Sequence, residues 1–107
     1  MNDLSNCAAS EPFALRVIGD DMAPEFVDGH IIVVDPGGKL ASGCFVVASH
    51  GGEMIFRQLI MHGDELRLAA LKPDLPEIVL GGIGEIVGVV SQRSGKRRSE
   101  HKRYDDL

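Results

Sequence analysis

The sequence contains no tryptophan and one tyrosine, and aromatic residues make up 5% of its 107 positions. So thin an aromatic supply leaves most of any core to aliphatic side chains. No apolar run approaches the ~18 residues of a membrane-spanning helix, so no membrane association is expected. No basic stretch precedes an apolar one in the first twenty residues, so a secretory signal is not expected either. Two cysteines, Cys7 and Cys44, are too few for a disulfide framework and fit a cytoplasmic chain with reduced thiols. Cys44 reads as a small core hydrophobe and Cys7 as part of a loose leader. There is no G-x-S-x-G elbow. The four histidines, His30, His50, His62 and His101, share no metal-ligand spacing with one another or with the cysteines. None of the three Gly-Gly pairs opens a helical pattern, as a phosphate-cradling loop requires. The acidic group Asp20, Asp21, Glu25 and Asp28 lacks the spacing of a calcium loop. No metal and no cofactor is expected.

What is present is ordinary in amount and uneven in placement. The chain is 44% hydrophobic and 25% charged, with a formal net charge of −5. Its length fits one domain. Six of the 11 basic residues fall between Gln92 and Leu107: Arg93, Lys96, Arg97, Arg98, Lys102 and Arg103. That stretch is net +3 and the remainder net −8. An acidic body repels a phosphate backbone, so nucleic acid would have to bind through the basic tail alone. The plainer reading of the tail is a solvated segment that aids solubility.

Residues 1–10 read as a flexible leader, 11–92 as the folded domain, and 93–107 as the basic tail. Phe13, Leu15 and Val17 alternate as in a strand. Gly19–Phe26 interrupts it, and Asp20 or Asp21 is placed to cap a short helical turn with Pro24 in its first turn. Asp28-Gly29 is a turn, and Ile31–Val34 is a β-branched run. Cys44–Ser49 and Glu53–Ile60 flank His50-Gly51-Gly52 as a hairpin. His62-Gly63-Asp64 turns into the short strand Glu65–Ala69. Lys72–Pro76 is a loop, Val79-Leu80 a brief strand, and Gly84–Gln92 closes the sheet. Turn signals about every ten residues argue for a mostly β domain of short antiparallel strands and hairpins.

One constellation is more specific. Gly19-Asp20-Asp21-Met22-Ala23-Pro24 leads through Asp28-Gly29-His30 to Gly43-Cys44-Phe45-Val46-Val47-Ala48, then to Phe56-Arg57-Gln58-Leu59 and Ile86-Val87-Gly88-Val89-Val90. In order and spacing this resembles the C-terminal domain of LexA, the UmuD mutagenesis proteins and phage repressors, over Phe13 to Gln92. Those proteins are serine–lysine peptidases whose pattern runs G-[D/M]-S-M-x-P, G-D, G-x-[V/I]-V-x-A, V-K-R-L and I-x-G-x-V. The resemblance implies a mostly β fold, a homodimer and a surface cleft. It marks Gly19, Asp20, Met22, Pro24 and Phe56 as cleft residues. Ile86, Val87, Val89 and Val90, on a strand late in the chain, are the expected dimer interface, by pairing with a symmetry mate or lining a two-fold axis.

The departures fall on the chemistry. Where the family has its nucleophilic serine this chain has Asp21, and where it has the general-base lysine this chain has Arg57. A lysine is a base only when burial makes it neutral; an arginine, with a pKa above ~12, cannot take that part. A carboxylate facing a guanidinium forms an ion pair instead. Asp21 and Arg57 are therefore expected within ~4 Å of each other, as degenerate dyad positions with no catalytic residue. An orphaned Asp21 is expected to be costlier than an orphaned Arg57. The residues before Asp21 hold no helix-turn-helix pattern and no Ala-Gly or Cys-Gly bond like those cut in family linkers; Cys7-Ala8-Ala9-Ser10 comes nearest.

Three functions are compatible with these residues. The first is a non-catalytic LexA/UmuD-like dimerisation or partner-binding module in transcriptional or SOS-type regulation, holding a protein or peptide in the old cleft. The second is a divergent hydrolase acting through another residue. The third is a nucleic-acid accessory factor acting through the tail. Tyr104, the one aromatic beyond Phe56, discriminates: docked on the body, it makes the tail structural.

Overall fold

A computed structural model describes residues 11–104. The proposed leader and Cys7 lie outside the described residues. Eight strands, β1 (Phe13–Arg16), β2 (Ile31–Asp35), β3 (Phe45–His50), β4 (Glu53–His62), β5 (Glu65–Ala69), β6 (Ile78–Val79), β7 (Ile86–Ser94) and β8 (Lys102–Arg103), form one sheet. The order is β1-β2-β7-β3-β4-β5-β6, with β8 also on β7. Every pairing is antiparallel.

The hairpins follow from local chemistry. Gly51 and Gly52 both take positive φ, 61° and 83°, which a two-residue turn matched to the strand twist requires. His50 consequently faces Glu53, and Val46 faces Arg57. The apolar run of β3 is buried on both faces: Val47 joins one cluster with Val17, Met22, Phe26, Ile32, Val34 and Val90, while Val46 and Ala48 join another with Leu59, Leu68 and Leu80. Alternate side chains of a strand point to opposite faces, so a strand between two clusters is apolar throughout. Cys44 packs at the edge of the second cluster.

Three expectations need correction. Residues 19–26 are a run of turns rather than a helical turn. Pro24 has no N–H to donate and disfavours helical geometry at Ala23; one i→i+4 bond remains, the Phe26 amide donating to the Met22 carbonyl at 2.8 Å. The helical geometry lies instead in 3-10 turns at Ile83–Glu85 and Arg98–Glu100, so the last long strand starts at Ile86 rather than Gly84.

Second, β7 is an inner strand, bonded to β2 on one edge and to β3 and then β8 on the other. Its ladder positions are taken by strands of the same chain except on the β2 side of 86–88, so a symmetry mate could add to its edge only there. Val90 is in the core, and Ile86, Val87 and Val89 pack against the two clusters. Gly88 is needed there, because a Cβ would lie 2.7 Å from Val34 Cγ1.

Third, the chain beyond Gln92 is solvated only in part: Lys96–Ser99 are exposed, but the segment is anchored through Tyr104. β7 continues to Ser94, Gln92 faces Arg103 and Arg93 faces Lys102, and the Tyr104 amide donates to the Ser91 carbonyl at 2.8 Å. Ser94–Arg98 holds no apolar anchor; the anchor is Tyr104, whose ring packs against Phe26 and Phe45.

Candidate functional site

Residues 19–30 form a connection stitched to its own ends. The Val17 amide donates to the His30 carbonyl and the Gly29 amide to the Val17 carbonyl, each at 2.8 Å. The Gly19 amide donates to Asp28 Oδ1 at 2.7 Å. Met22 and Phe26, 2% and 0% exposed, sink into the first cluster four residues apart and leave Asp21 at the surface beside the cleft walls from β1 and β4. The Asp21 carbonyl accepts from the Leu71 and Lys72 amides, both at 3.1 Å.

Arg57 reaches Asp21 from β4. Its Nη2 donates to Asp21 Oδ2 at 3.2 Å and its Nη1 to the Phe56 carbonyl at 2.8 Å. The two expected neighbours are thus side by side. The two partners differ in cover. The Arg57 side chain is 19% exposed and that of Asp21 44%, so a lone carboxylate at 21 would meet water and a lone guanidinium at 57 would be the more buried charge.

Beside this pair lies a cleft of about 530 Å³, bounded by residues 15–19, by Asp21 and Met22, and by 53–57 of β4, with Ile32 and Val47 beneath. Of the residues that the resemblance marks for a cleft, Gly19, Met22 and Phe56 line this one, and Asp20 and Pro24 do not. The Asp20 carboxylate instead meets Lys72 Nζ at 3.4 Å. Two backbone edges face the cleft. Among the described residues β1 is paired only with β2. β4 is paired with β5 only from Gln58 onward, which leaves 53–57 without a ladder partner on that side among the described residues. Ile18 and Met54, 83% and 56% exposed, belong to its apolar lining.

Sequence reasoning missed the polar network behind the site. Glu25 Oε2 accepts from the Tyr104 hydroxyl at 2.6 Å and from Lys102 Nζ at 2.8 Å, with Arg93 Nη1 at 3.5 Å. Arg93 also donates to the Glu25 carbonyl through Nη1 and to the Glu100 carbonyl through Nε. The Lys102 ammonium and the Tyr104 hydroxyl hold the Glu25 carboxyl below the usual carboxylate range; burial, and then Glu25, push the Tyr104 phenol up. His30, 6% exposed, accepts the Val27 amide at Nδ1. Its proton is therefore on Nε2, which donates to Glu100 Oε1 at 3.0 Å, and this bond lowers the Glu100 pKa. Tyr104 was the one visible signal; nothing local marks Glu25 or His30. Elsewhere, His50 Nδ1 lies 2.8 Å from Glu85 Oε1. Among the described residues no group of three His, Cys, Asp or Glu side chains is arranged to hold a metal ion, and no helix is long and apolar enough to cross a membrane.

A family model described as Peptidase S24-like matches residues 3–91. The match ends before Arg93, Glu100, Lys102 and Tyr104. The chain is 40% identical over 87 residues to the HTH-type transcriptional regulator for conjugative element R391 of Providencia rettgeri, covering 75% of this chain and 40% of that protein. It is 38% identical over 94 residues to prophage repressor CohE of Escherichia coli K12, covering 84% and 42%. It is 36% identical over 95 residues to repressor protein C2 of Salmonella phage P22, covering 83% and 44%. The chain thus spans about two-fifths of the length of the curated relatives it matches.

Proposed function

The chain belongs to the S24-like peptidase family, and from that premise we propose that it binds an extended peptide without cutting it, as a regulatory domain in transcriptional control. The observation that carries this reading is the ion pair Asp21–Arg57 at 3.2 Å, on the two motif positions that resemble the family's serine and lysine. A carboxylate held by a guanidinium is no activated hydroxyl, and a guanidinium takes up no proton at accessible pH. What remains is a binding surface: an apolar cleft between the open edges of β1 and the first half of β4. An extended segment laid there gains main-chain hydrogen bonds from either edge and buries apolar side chains against Ile18 and Met54. The transcriptional role rests on the names of the relatives, a transcriptional regulator and two repressors.

Homodimer formation, which the family resemblance implies, has the outer edges of β1 and β6, the two ends of the sheet order, open to it among the described residues. A nucleic-acid role for the C-terminal segment is weakened by its own contacts, since Arg93 and Lys102 are already on Glu25.

The test is a blocked ten-residue peptide carrying the Ala-Gly bond of family linkers, followed by amide NMR and by mass over days at pH 9–10. Shifts confined to the Glu53–Arg57 edge and Leu15–Gly19, with the peptide intact, are expected. Specific cleavage that a serine-directed reagent abolishes would overturn the non-catalytic reading, and no shift at millimolar peptide would overturn the cleft reading.

A further inference from the structure

We infer that the C-terminal segment 93–104 is an intramolecular strap that holds residues 19–30 in place and so sets the wall of the cleft, an inference about regulation that rests on the cleft reading above. Four contacts tie the strap to that connection. Tyr104 and Lys102 converge on the Glu25 carboxylate at 2.6 and 2.8 Å. Arg93 donates to the Glu25 carbonyl. Glu100 receives the buried His30 Nε2 at 3.0 Å.

The strap reaches the cleft through one side chain. The fully buried Phe26 ring touches Tyr104 at 5.3 Å between centroids on one side and Phe56 at 4.9 Å on another. Phe56 lines the cleft, and its carbonyl receives Arg57. Glu25 and Phe26 are adjacent, so the strap grips the connection at the residues that seat it in the core. Contact of this kind couples two sites only if the connecting element can loosen as a unit. Residues 19–30 fit that requirement: they form no regular element and span two strands. Their outward support comes from the strap at one end and, at the other, from the Leu71 and Lys72 amides on the Asp21 carbonyl, Arg57 on the Asp21 carboxylate and the Lys72 ammonium on Asp20.

Releasing the strap therefore loosens Asp21 and Met22, which bound the cleft, while the hairpins β3–β4–β5 stay closed by their own ladder. A partner that captures the C-terminal segment would weaken peptide binding in the cleft, and a peptide in the cleft would tighten the strap, since coupling between two binding events is reciprocal.

Amide exchange on the full chain tests this. Glu25→Gln keeps the shape and removes the charge; Tyr104→Phe removes one donor. In either variant the Phe26, Val27 and His30 amides, and the Leu71 and Lys72 amides bound to Asp21, should exchange about tenfold faster. The Gly43 and Leu59 amides, bound within the hairpin half, should not change. Unchanged exchange at 26–30 and 71–72, or equal acceleration at every amide, would overturn the strap. Lys102→Ala, at a side chain 50% exposed, repeats the test if either variant fails to fold. The exchange arm needs no peptide. In a second arm the ten-residue Ala-Gly peptide should bind Glu25→Gln several-fold more weakly than the unaltered chain. Equal binding to both would overturn the regulatory coupling while leaving the cleft reading intact, and binding to neither would overturn the cleft reading.

Discussion

Between Gly43 and Leu80 the chain folds on its neighbours. Leu59 faces Leu68 across a hairpin, the Leu59 amide donates to the Cys44 carbonyl, and the cluster of Val46, Ala48, Leu59, Leu68 and Leu80 holds no aromatic ring. The half that carries the candidate site is assembled from segments far apart in sequence. Phe26 is ringed by Phe45, Phe56 and Tyr104, and the polar contacts around it span 68 to 79 residues. The hairpin half is closed by ladders between adjacent strands, whose loop-closure cost is small. The site half depends on contacts that exist only once the whole chain is folded, so it is the half in which local loosening can alter a cleft without unfolding the domain.

The most severe way to break this contrast is Phe26→Ala. A fully buried ring at the centre of four aromatics should cost about 3–5 kcal/mol in urea unfolding, with Tyr104 undocked in whatever folds. A loss under about 1 kcal/mol would remove the aromatic cluster as the organiser of the site half.

Gly88→Ala strikes the strand that joins the halves. The added methyl meets Val34 and the Asp35 backbone at 2.7 and 3.0 Å, and overpacking of this kind costs about 1–3 kcal/mol. Unfolding measurements that find the variant neutral would show that β2 and β7 can separate at no cost.

pH sharpens the comparison next. Glu25 and Glu100 are held below their ordinary 4.5 by partners in the site half, Lys102 and Tyr104 for the first and His30 for the second; Glu85, in the turn before β7, is held down by His50 of the hairpin half and by the Gly81 amide. A depressed folded-state pKa gives stability that is present above 4.5 and lost as pH falls through the folded value. Tyr104 has the opposite sign: its phenol is raised above its ordinary 10.0, chiefly by burial, so its contribution is present below pH 10 and lost as pH rises beyond it. Exchange protection at Phe26 and His30 should therefore fail first at both extremes. The absorbance of the phenolate should lag that of an unfolded control through pH 10, and coincident titrations would refute the docking of Tyr104.

The smallest effects are at the ion pair. Arg57→Ala removes a largely covered stem, a bond to the Phe56 carbonyl and the partner of Asp21, for about 1 kcal/mol after solvent screening. Asp21→Asn keeps an acceptor for Arg57 and should cost under about 0.5 kcal/mol. A larger loss from Asp21→Asn in a thermal melt would mean that the guanidinium is the costlier orphan even with an amide beside it.

Much of this molecule was legible from its residues. Glu65–Ala69 was read with its bounds correct, and the β3–β4 hairpin to within two residues, because glycine turns and period-two alternation are local signals. The neighbourhood of Asp21 and Arg57 came from motif order, since two positions of one constellation share a site wherever they lie in the chain. The sequence alone thus determined the class of fold, the hairpins and the nearness of Asp21 to Arg57. Only the tertiary structure decided that β7 lies inside the sheet, that 19–26 is a turn run, that Arg57 is the more buried partner and that Tyr104 anchors the segment past Gln92. Each of those depends on pairings between residues tens of positions apart, and neither a strand's place in the sheet nor the partner of a lone Glu25 leaves any mark on local periodicity.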